Sequence, residues 1–366
     1  MFEIVRRQPG GLSARGAGVL EILPDGFGFL RSPDANFLPG SDDIYVSPSQ
    51  IRRFNLRTGD TITGRVRAPK EGERYFALIK IERVNARSPD IERDKILFDN
   101  LTAVRPFRSL QLGDSVTGRM LDAYVPLAFG QRVLVLADSR SGRTNLLADI
   151  ASAVSRQHAV ILLLIDERPE EVTALQRDLS AEVISSTLDE PPSRHVQVAD
   201  MALERAKRLV EQGRDVVLLI DSMTRLARAI HTAEERSAPD PMAAYRARRY
   251  FATGRQLEEG GSLTIIATAL RSADPARADI SSELLDAANV VVELVAAPWL
   301  DGVPDGVPGL HLSNSFARQQ ERYLSRSDRD RVRRARQALS GEPRADLHHA
   351  LDQIGGADQP ADSGPE

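Results

Sequence analysis

The hydrophobic pattern of the chain changes its period once, near residue 118. Upstream, apolar residues arrive in short runs rich in β-branched and aromatic side chains, at 18–23, 26–31, 43–46, 60–66 and 75–81. Turn formers separate them, among them Pro24-Asp25, Pro39-Gly40 and the stretch from Pro69 to Gly72. Runs of this length and composition, punctuated in this way, predict strands. Five strands within residues 18–87 predict a small closed β-barrel of the OB type, cold-shock-like in its strand count.

From Gly118 onward the strands alternate with helices. Apolar runs at Val133–Leu136, Val160–Ile165, Val183–Ser186, Val216–Ile220, Leu263–Ala267 and Val290–Val295 suit strands buried on both faces. Between two of them, Ala199, Ala202, Ala206, Leu209 and Val210 recur at helical spacing. The alternation predicts an α/β domain, a parallel sheet with helices on both sides. The chain therefore divides into an expected flexible arm (1–17), a barrel (18–87), a connector (88–115) and an α/β domain (116–330). A short helical segment and a tail follow (331–366), disordered after Gly355 by its GADQPADSGPE composition.

Composition narrows the function classes. Of 366 residues, 42% are hydrophobic and 27% charged, an ordinary globular balance. No apolar run approaches the roughly 20 residues that span a bilayer, and the N-terminus lacks a secretory pattern. The absence of cysteine excludes disulfides, thiolate metal sites and cysteine nucleophiles, and fits a cytoplasmic location. The net charge of −4 hides an asymmetry, because residues 1–87 carry 14 basic against 10 acidic side chains. A mildly basic front module suits a polyanionic partner. Only Lys70, Lys80, Lys95 and Lys207 are lysines among 48 basic residues.

Candidate chemistry sits at the strand ends. The run Arg132–Ala137 leads through Asp138-Ser139-Arg140-Ser141-Gly142-Arg143 into Thr144-Asn145 and a helix start. Strand, glycine-bearing loop and helix N-terminus form the context in which a P-loop cradles phosphate and Mg²⁺. Against GxxxxGK followed by Ser or Thr, the loop has Ala137 for the first glycine and Arg143 for the lysine. Taken alone, it equally suits an ordinary strand-to-helix turn. The strand Val217–Ile220 ends in Asp221, where a P-loop enzyme places the acid of its Mg²⁺ shell, although buried strands also end in Asp as a helix cap. Asp166-Glu167-Arg168 follows another strand; Glu167 is placed to polarise an attacking water, or to begin an acidic helical turn with Pro169. In the barrel, Phe27 and Phe29 alternate onto one face with Arg31, and Tyr45 lies nearby in sequence. Such a face stacks on bases if exposed, or builds the core if not.

Long stretches carry a family resemblance. GVLEILPDGFGFLRS, DDIYVSPSQIRRFNLRTGDTITG, LLIDERPEEVTALQRD, DEPPSRHVQVADMALERAKRLVE, DSMTRLARA and EEGGSLTIIATAL closely resemble the Rho family of transcription termination factors. These are ring-shaped RNA-dependent ATPases with a RecA-like P-loop domain. The resemblance covers most of residues 18–270, without the family's front helical module. It implies that Phe27, Phe29, Arg31 and Tyr45 grip pyrimidine-rich single-stranded RNA. By the same resemblance Glu167 is the catalytic base and Arg168 an arginine valve. Thr144 and Asp221 hold Mg²⁺, and Arg140, Ser141, Gly142, Arg143, Thr144 and Asn145 bind ATP. The implied partners are single-stranded RNA, the RNA polymerase complex, and copies of the chain in a hexameric ring or a mixed ring with another Rho; a membrane is not among them.

Four departures qualify that picture. Arg140 and Arg143 stand where the family has two lysines. The central-pore segment HTAEERSAPDPMAAYRARRYFATGRQL lacks the family's double glycine, and the next pore segment, from Arg271, lacks its lysine. The trans-acting arginine finger has only Arg318 as a counterpart, poorly aligned. The expected function is Rho-type RNA translocation and transcript release with reduced catalysis. The alternative is a catalytically impaired paralogue that acts as an RNA-binding regulator or mixed-ring subunit.

Overall fold

A computed structural model describes residues 2–3, 13–113, 115–233, 241–271, 275–296 and 306–355. The barrel uses β1 (Phe2–Glu3), β2 (Ser13–Ile22), β3 (Gly28–Arg31), β4 (Ile44–Val46), β5 (Thr61–Arg67) and β6 (Phe76–Val84). Strand β2 pairs with both β3 and β5, and β4 runs parallel to β6, so β2 to β6 close on themselves. Leu20, Leu30, Ile44, Val46, Ile62, Val66, Leu78 and Ile81 fill the interior, the inward half of each alternating strand. Helix α1 (Pro48–Arg53) starts on a capping box between Ser47 and Gln50.

The arm expected to be flexible over 1–17 is in part strand. Residues from Ser13 to Ala17 continue β2 in register with β5, and β1 adds to its edge. The run Ser-Ala-Arg-Gly-Ala has no apolar alternation to announce this. Main-chain pairing fixes it, and Gly16 lets the Ile44 side chain lie close against the strand. The connector is also ordered. It forms α2 (Pro89–Arg93), β7 (Ala103–Val104) and β8 (Ser109–Leu110) before α3 (Val116–Tyr124); β8 pairs with β9 (Leu127–Ala128).

The six predicted parallel strands are all present. They are β10 (Arg132–Ala137), β11 (Ala159–Glu167), β12 (Glu182–Thr187), β13 (Asp215–Asp221), β15 (Ser262–Leu270) and β16 (Val290–Leu294). Ahead of β15, β14 (Arg255–Leu257) links it to β7, and after β16, β17 (Phe316–Ala317) closes the far edge. The parallel order is β12-β11-β13-β15-β10-β16. Alternate residues of β11 and β13 point to opposite cores. Ile161, Leu163, Leu218 and Ile220 pack on α6 (Pro192–Val210), α7 (Met223–Ala233), α8 (Pro241–Ala252) and α9 (Pro275–Ala287). Leu162, Leu164, Val217 and Leu219 face α3, α4 (Arg143–Val154) and α5 (Pro169–Asp178). Two C-terminal helices, α10 (Arg326–Gln337) and α11 (Pro343–Gly355), complete that side. The expected single short segment from 331 is therefore two packed helices, with Leu347, Ala350 and Ile354 buried. The tail expected to be disordered lies outside the described residues. No described helix is long and apolar enough to cross a membrane.

The two domains share buried surface. Phe37 of the barrel is fully buried within the α/β core. Lys95 Nζ lies 2.7 Å from Asp60, 3.4 Å from Glu92 and 3.6 Å from Glu211, and Arg208 adds a 2.7 Å contact to Glu211. Burial raises the pKa of Glu211, so the two cations are what permit several carboxylates at this seam. Gly59 has a left-handed φ of +90°, and a Cβ there would meet the Glu204 backbone at 2.6 Å. Glycine thus allows the barrel to rest on α6.

Candidate functional sites

The carboxyl ends of β10, β11, β13 and β15 converge on the loop between Ala137 and Arg143, as in other open α/β sheets. Gly142 ends that loop with φ +80°, and a Cβ there would lie 3.0 Å from Pro308 Cα. The left-handed conformation favours glycine, and the close Pro308 backbone leaves little room for a side chain. No side chain caps α4, which leaves its first-turn N–H groups for an anion. Ser141 is buried and its Oγ has no partner among the described residues. Its carbonyl accepts from Gly309 N at 3.1 Å, and Asn145 Nδ2 donates to Gly306 O at 3.3 Å. Arg140, with φ +62°, is exposed at the loop tip.

Asp221 is 0% exposed and heavily engaged. Its Oδ1 accepts from Thr268 Oγ1 at 2.9 Å and pairs with Arg143 Nε at 3.2 Å, while Oδ2 accepts from Thr144 Oγ1 at 3.3 Å. The structure thus brings Arg143, Thr144 and Asp221 together, but with the guanidinium on the carboxylate. Glu167, 8% exposed at the end of β11, accepts from Arg225 Nη1 at 2.6 Å and from Arg168 N at 3.2 Å. Arg225 also donates to Ile165 O at 3.1 Å, which fixes its fork against the strand end. Arg168 itself points to solvent at the head of α5.

Three residues here escaped the sequence reading. Thr268 sits in an apolar strand, where its polarity was the one available signal. Arg225 lies inside the DSMTRLARA stretch, four residues beyond the acid that drew attention. Arg271 pairs with Glu293 and lies 3.5 Å from Asp138, so it braces the phosphate loop; its backbone N–H also donates to Ala137 O at 2.9 Å. Parts of both pore segments, 234–240 and 272–274, lie outside the described residues. Arg318 is at the other end of the sheet from the loop, with its N–H on Asn289 O at 3.0 Å and its guanidinium 5.6 Å from the Phe316 ring.

On the barrel, Phe27 and Phe29 do share a face, and it is the outer one. Their ring centroids are 5.8 Å apart, and Tyr45, paired with Phe29 across β3 and β4, lies 5.8 and 6.1 Å from them. Tyr75 extends the row, 4.9 Å from Phe29. All four are half-buried, flat and accessible. Arg31 differs from expectation. It is 5% exposed, bonded to Glu21 Oε2 at 2.7 Å and to Asp43, with its guanidinium 5.0 Å from the Phe29 ring. The alternation that put it on the aromatic face also brought it between two acids, so it braces Phe29 from below rather than meeting solvent. Beside Tyr75 a cleft of about 550 Å³ is lined by Ser47, Arg67, Glu73 and Arg74. The Arg67 fork grips Glu73 at 2.6 and 2.9 Å and lowers its carboxyl to about 2.

Comparison with known proteins covers both domains. Residues 16–90 match the Rho termination factor RNA-binding domain, and residues 118–296 the nucleotide-binding domain of the ATP synthase alpha/beta family. The transcription termination factor Rho of Chromobacterium violaceum is 53% identical over 286 residues, covering 74% of this chain and 68% of that protein. That of Escherichia coli is 55% identical over 270 residues, covering 70% of this chain and 64% of that protein. Among solved structures, an ATPase of a bacterial type III secretion system is similar with a TM-score of 0.56 at 20% identity, covering 70% of this chain and 81% of that one. The ATP synthase subunit NeqB reaches 0.56 at 16% identity, covering 72% and 79%; these two show the fold. With an RNA-binding barrel, a nucleotide-binding P-loop domain and such identity across both, the chain belongs to the family of Rho transcription termination factors.

Proposed function

We propose that this chain is a Rho-type factor that grips single-stranded RNA on the barrel, binds ATP at the phosphate loop, and hydrolyses it slowly. RNA binding rests on the outward row of Phe27, Phe29, Tyr45 and Tyr75, on which successive bases stack. ATP binding rests on the uncapped α4 terminus and the conformation of Gly142. The family resemblance assigns Glu167 the base role and Asp221 the metal-shell role, and Asp221 here is paired with Arg143. Translocation, transcript release beside RNA polymerase, and assembly with further copies or another Rho in a ring are proposed on the same resemblance.

The observation that carries slow turnover is the ion pair of Arg143 with Asp221. A P-loop lysine is a compact point charge for phosphate oxygens, whereas the wide guanidinium fork matches a carboxylate. Here it is bound to the acid on which a Mg²⁺ shell would depend, so the charge needed on the phosphates is partly spent inside the protein. The same pair favours the second reading, a regulator or mixed-ring subunit whose partner supplies turnover. Hydrolysis measured with and without pyrimidine-rich RNA, beside Arg143→Lys, decides between them. Slow unmodified turnover that Arg143→Lys accelerates supports the proposal. Brisk RNA-stimulated turnover in the unmodified protein would remove it.

A further inference from the structure

Asp221 is the acid around which a P-loop site organises a hydrated divalent cation, and the side chains here fit that task poorly. Its carboxylate is wholly buried, and both oxygens already have partners. One of those partners is a full positive charge, Arg143 Nε at 3.2 Å, on a side chain itself only 17% exposed. A buried carboxylate favours its counter-ion strongly, and solvent screens such a pair little. A Mg²⁺ ion at Thr144 would have to displace the guanidinium from Asp221 or settle beside it as a second cation. Lysine eases both problems, because its ammonium is a compact point charge on a flexible stem and not a wide planar fork matched to a carboxylate.

The rest of the loop already supplies positive charge. Asp138, its one acid, lies 3.5 Å from Arg271, whose guanidinium it shares with Glu293. Arg140 stands exposed at the tip, and the α4 amides lack a side-chain cap. A polyphosphate entering here meets main-chain N–H groups and guanidinium charge without needing an ion to bridge it to Asp221.

We infer that this chain binds nucleoside polyphosphate independently of divalent cations, with Arg143 as the built-in counter-ion of Asp221. The inference rests on the nucleotide-binding reading above and specifies its cofactor. It is tested by titrating N-methylanthraniloyl-ATP against the full chain in MgCl₂ and in EDTA, without RNA. The expected Kd values agree within about threefold, a difference of under a tenfold step in affinity. Arg143→Lys, which frees Asp221, should then bind at least about tenfold tighter with Mg²⁺ than without. Asp221→Asn should tighten metal-free binding, because the released guanidinium turns to the phosphates. In an ordinary metal site the same change would weaken binding in MgCl₂ and leave the EDTA value alone. Unmodified protein that binds about tenfold or more tightly with Mg²⁺ overturns the inference, and that comparison requires no variant to fold. No binding in either buffer would overturn the nucleotide-binding reading and this inference with it, an outcome distinct from Mg²⁺-dependent binding.

Discussion

Two arginines that the family resemblance assigns to ligands, Arg31 to RNA and Arg143 to ATP, both hold carboxylates of their own chain. Arg31 lies between Glu21 and Asp43 beneath Phe29, and Arg143 lies on Asp221. The bonds are chemically alike, but their consequences are opposite. In the barrel the ion pair is below the binding surface and steadies an aromatic ring that remains presented. In the loop the ion pair occupies the position where charge must be free to act. On the reading proposed above, a guanidinium–carboxylate pair supports binding when it stands behind a contact and slows turnover when it replaces one.

The sharpest way to break this contrast is to remove the aromatic row. Phe27→Ala with Phe29→Ala should lose about 1–3 kcal/mol per stacked base, read as fluorescence anisotropy of a pyrimidine-rich RNA. Nucleotide affinity should be unchanged. If RNA affinity also stays put, the barrel surface is not the RNA site and the comparison collapses. Next in size is the seam between the regions. Lys95→Met leaves Asp60, Glu92 and Glu211 clustered without one of their cations, which should cost about 3–5 kcal/mol in urea unfolding. A cost below about 1 kcal/mol would mean that the barrel and the α/β domain are not held together by this cluster.

The smallest effect offers a reference at a carboxyl whose hydrogen-bond partners include neither arginine. Burial lifts the Asp122 carboxyl to about 6, against hydrogen bonds from the Leu112 N–H at 3.1 and 3.3 Å. Its folded pKa lies above the unfolded value near 3.9, so the folded state keeps its proton longer. Stability from this group is fully present below about pH 4 and is lost as pH rises through about 6. Asp122→Asn should flatten the thermal-unfolding profile across that window and leave RNA and nucleotide affinity unaltered. An unchanged slope would show that Asp122 does not titrate in the folded protein.

Most of the α/β architecture was legible because strands buried on both faces leave continuous apolar runs, and all six occur where those runs lie. The barrel strands were legible by alternation, except for the first half of β2, whose Ser-Ala-Arg-Gly-Ala sequence is held by pairing with β5. The ordered connector was equally silent, since β7 is two residues long and exists through β14. At the sites, Gly142, Thr144, Asp221 and Glu167 could be placed from strand ends and motif context. Thr268, Arg225 and Arg271 could not, because each comes from a separate element and gains meaning only by converging on Asp221, Glu167 and Asp138.

The sequence by itself determined the family, the two-domain order, the position of the phosphate loop and the substitution of arginine for its lysine. Those are properties of local pattern and residue type. The tertiary structure alone decided that Phe27 and Phe29 face outward, that Arg31 is buried, and that Arg143 binds Asp221. An arginine carries the same charge wherever it stands, and a sequence records that charge without its partner. Which carboxylate or phosphate it meets depends on residues tens of positions away, brought within about 3 Å by the closing of a sheet.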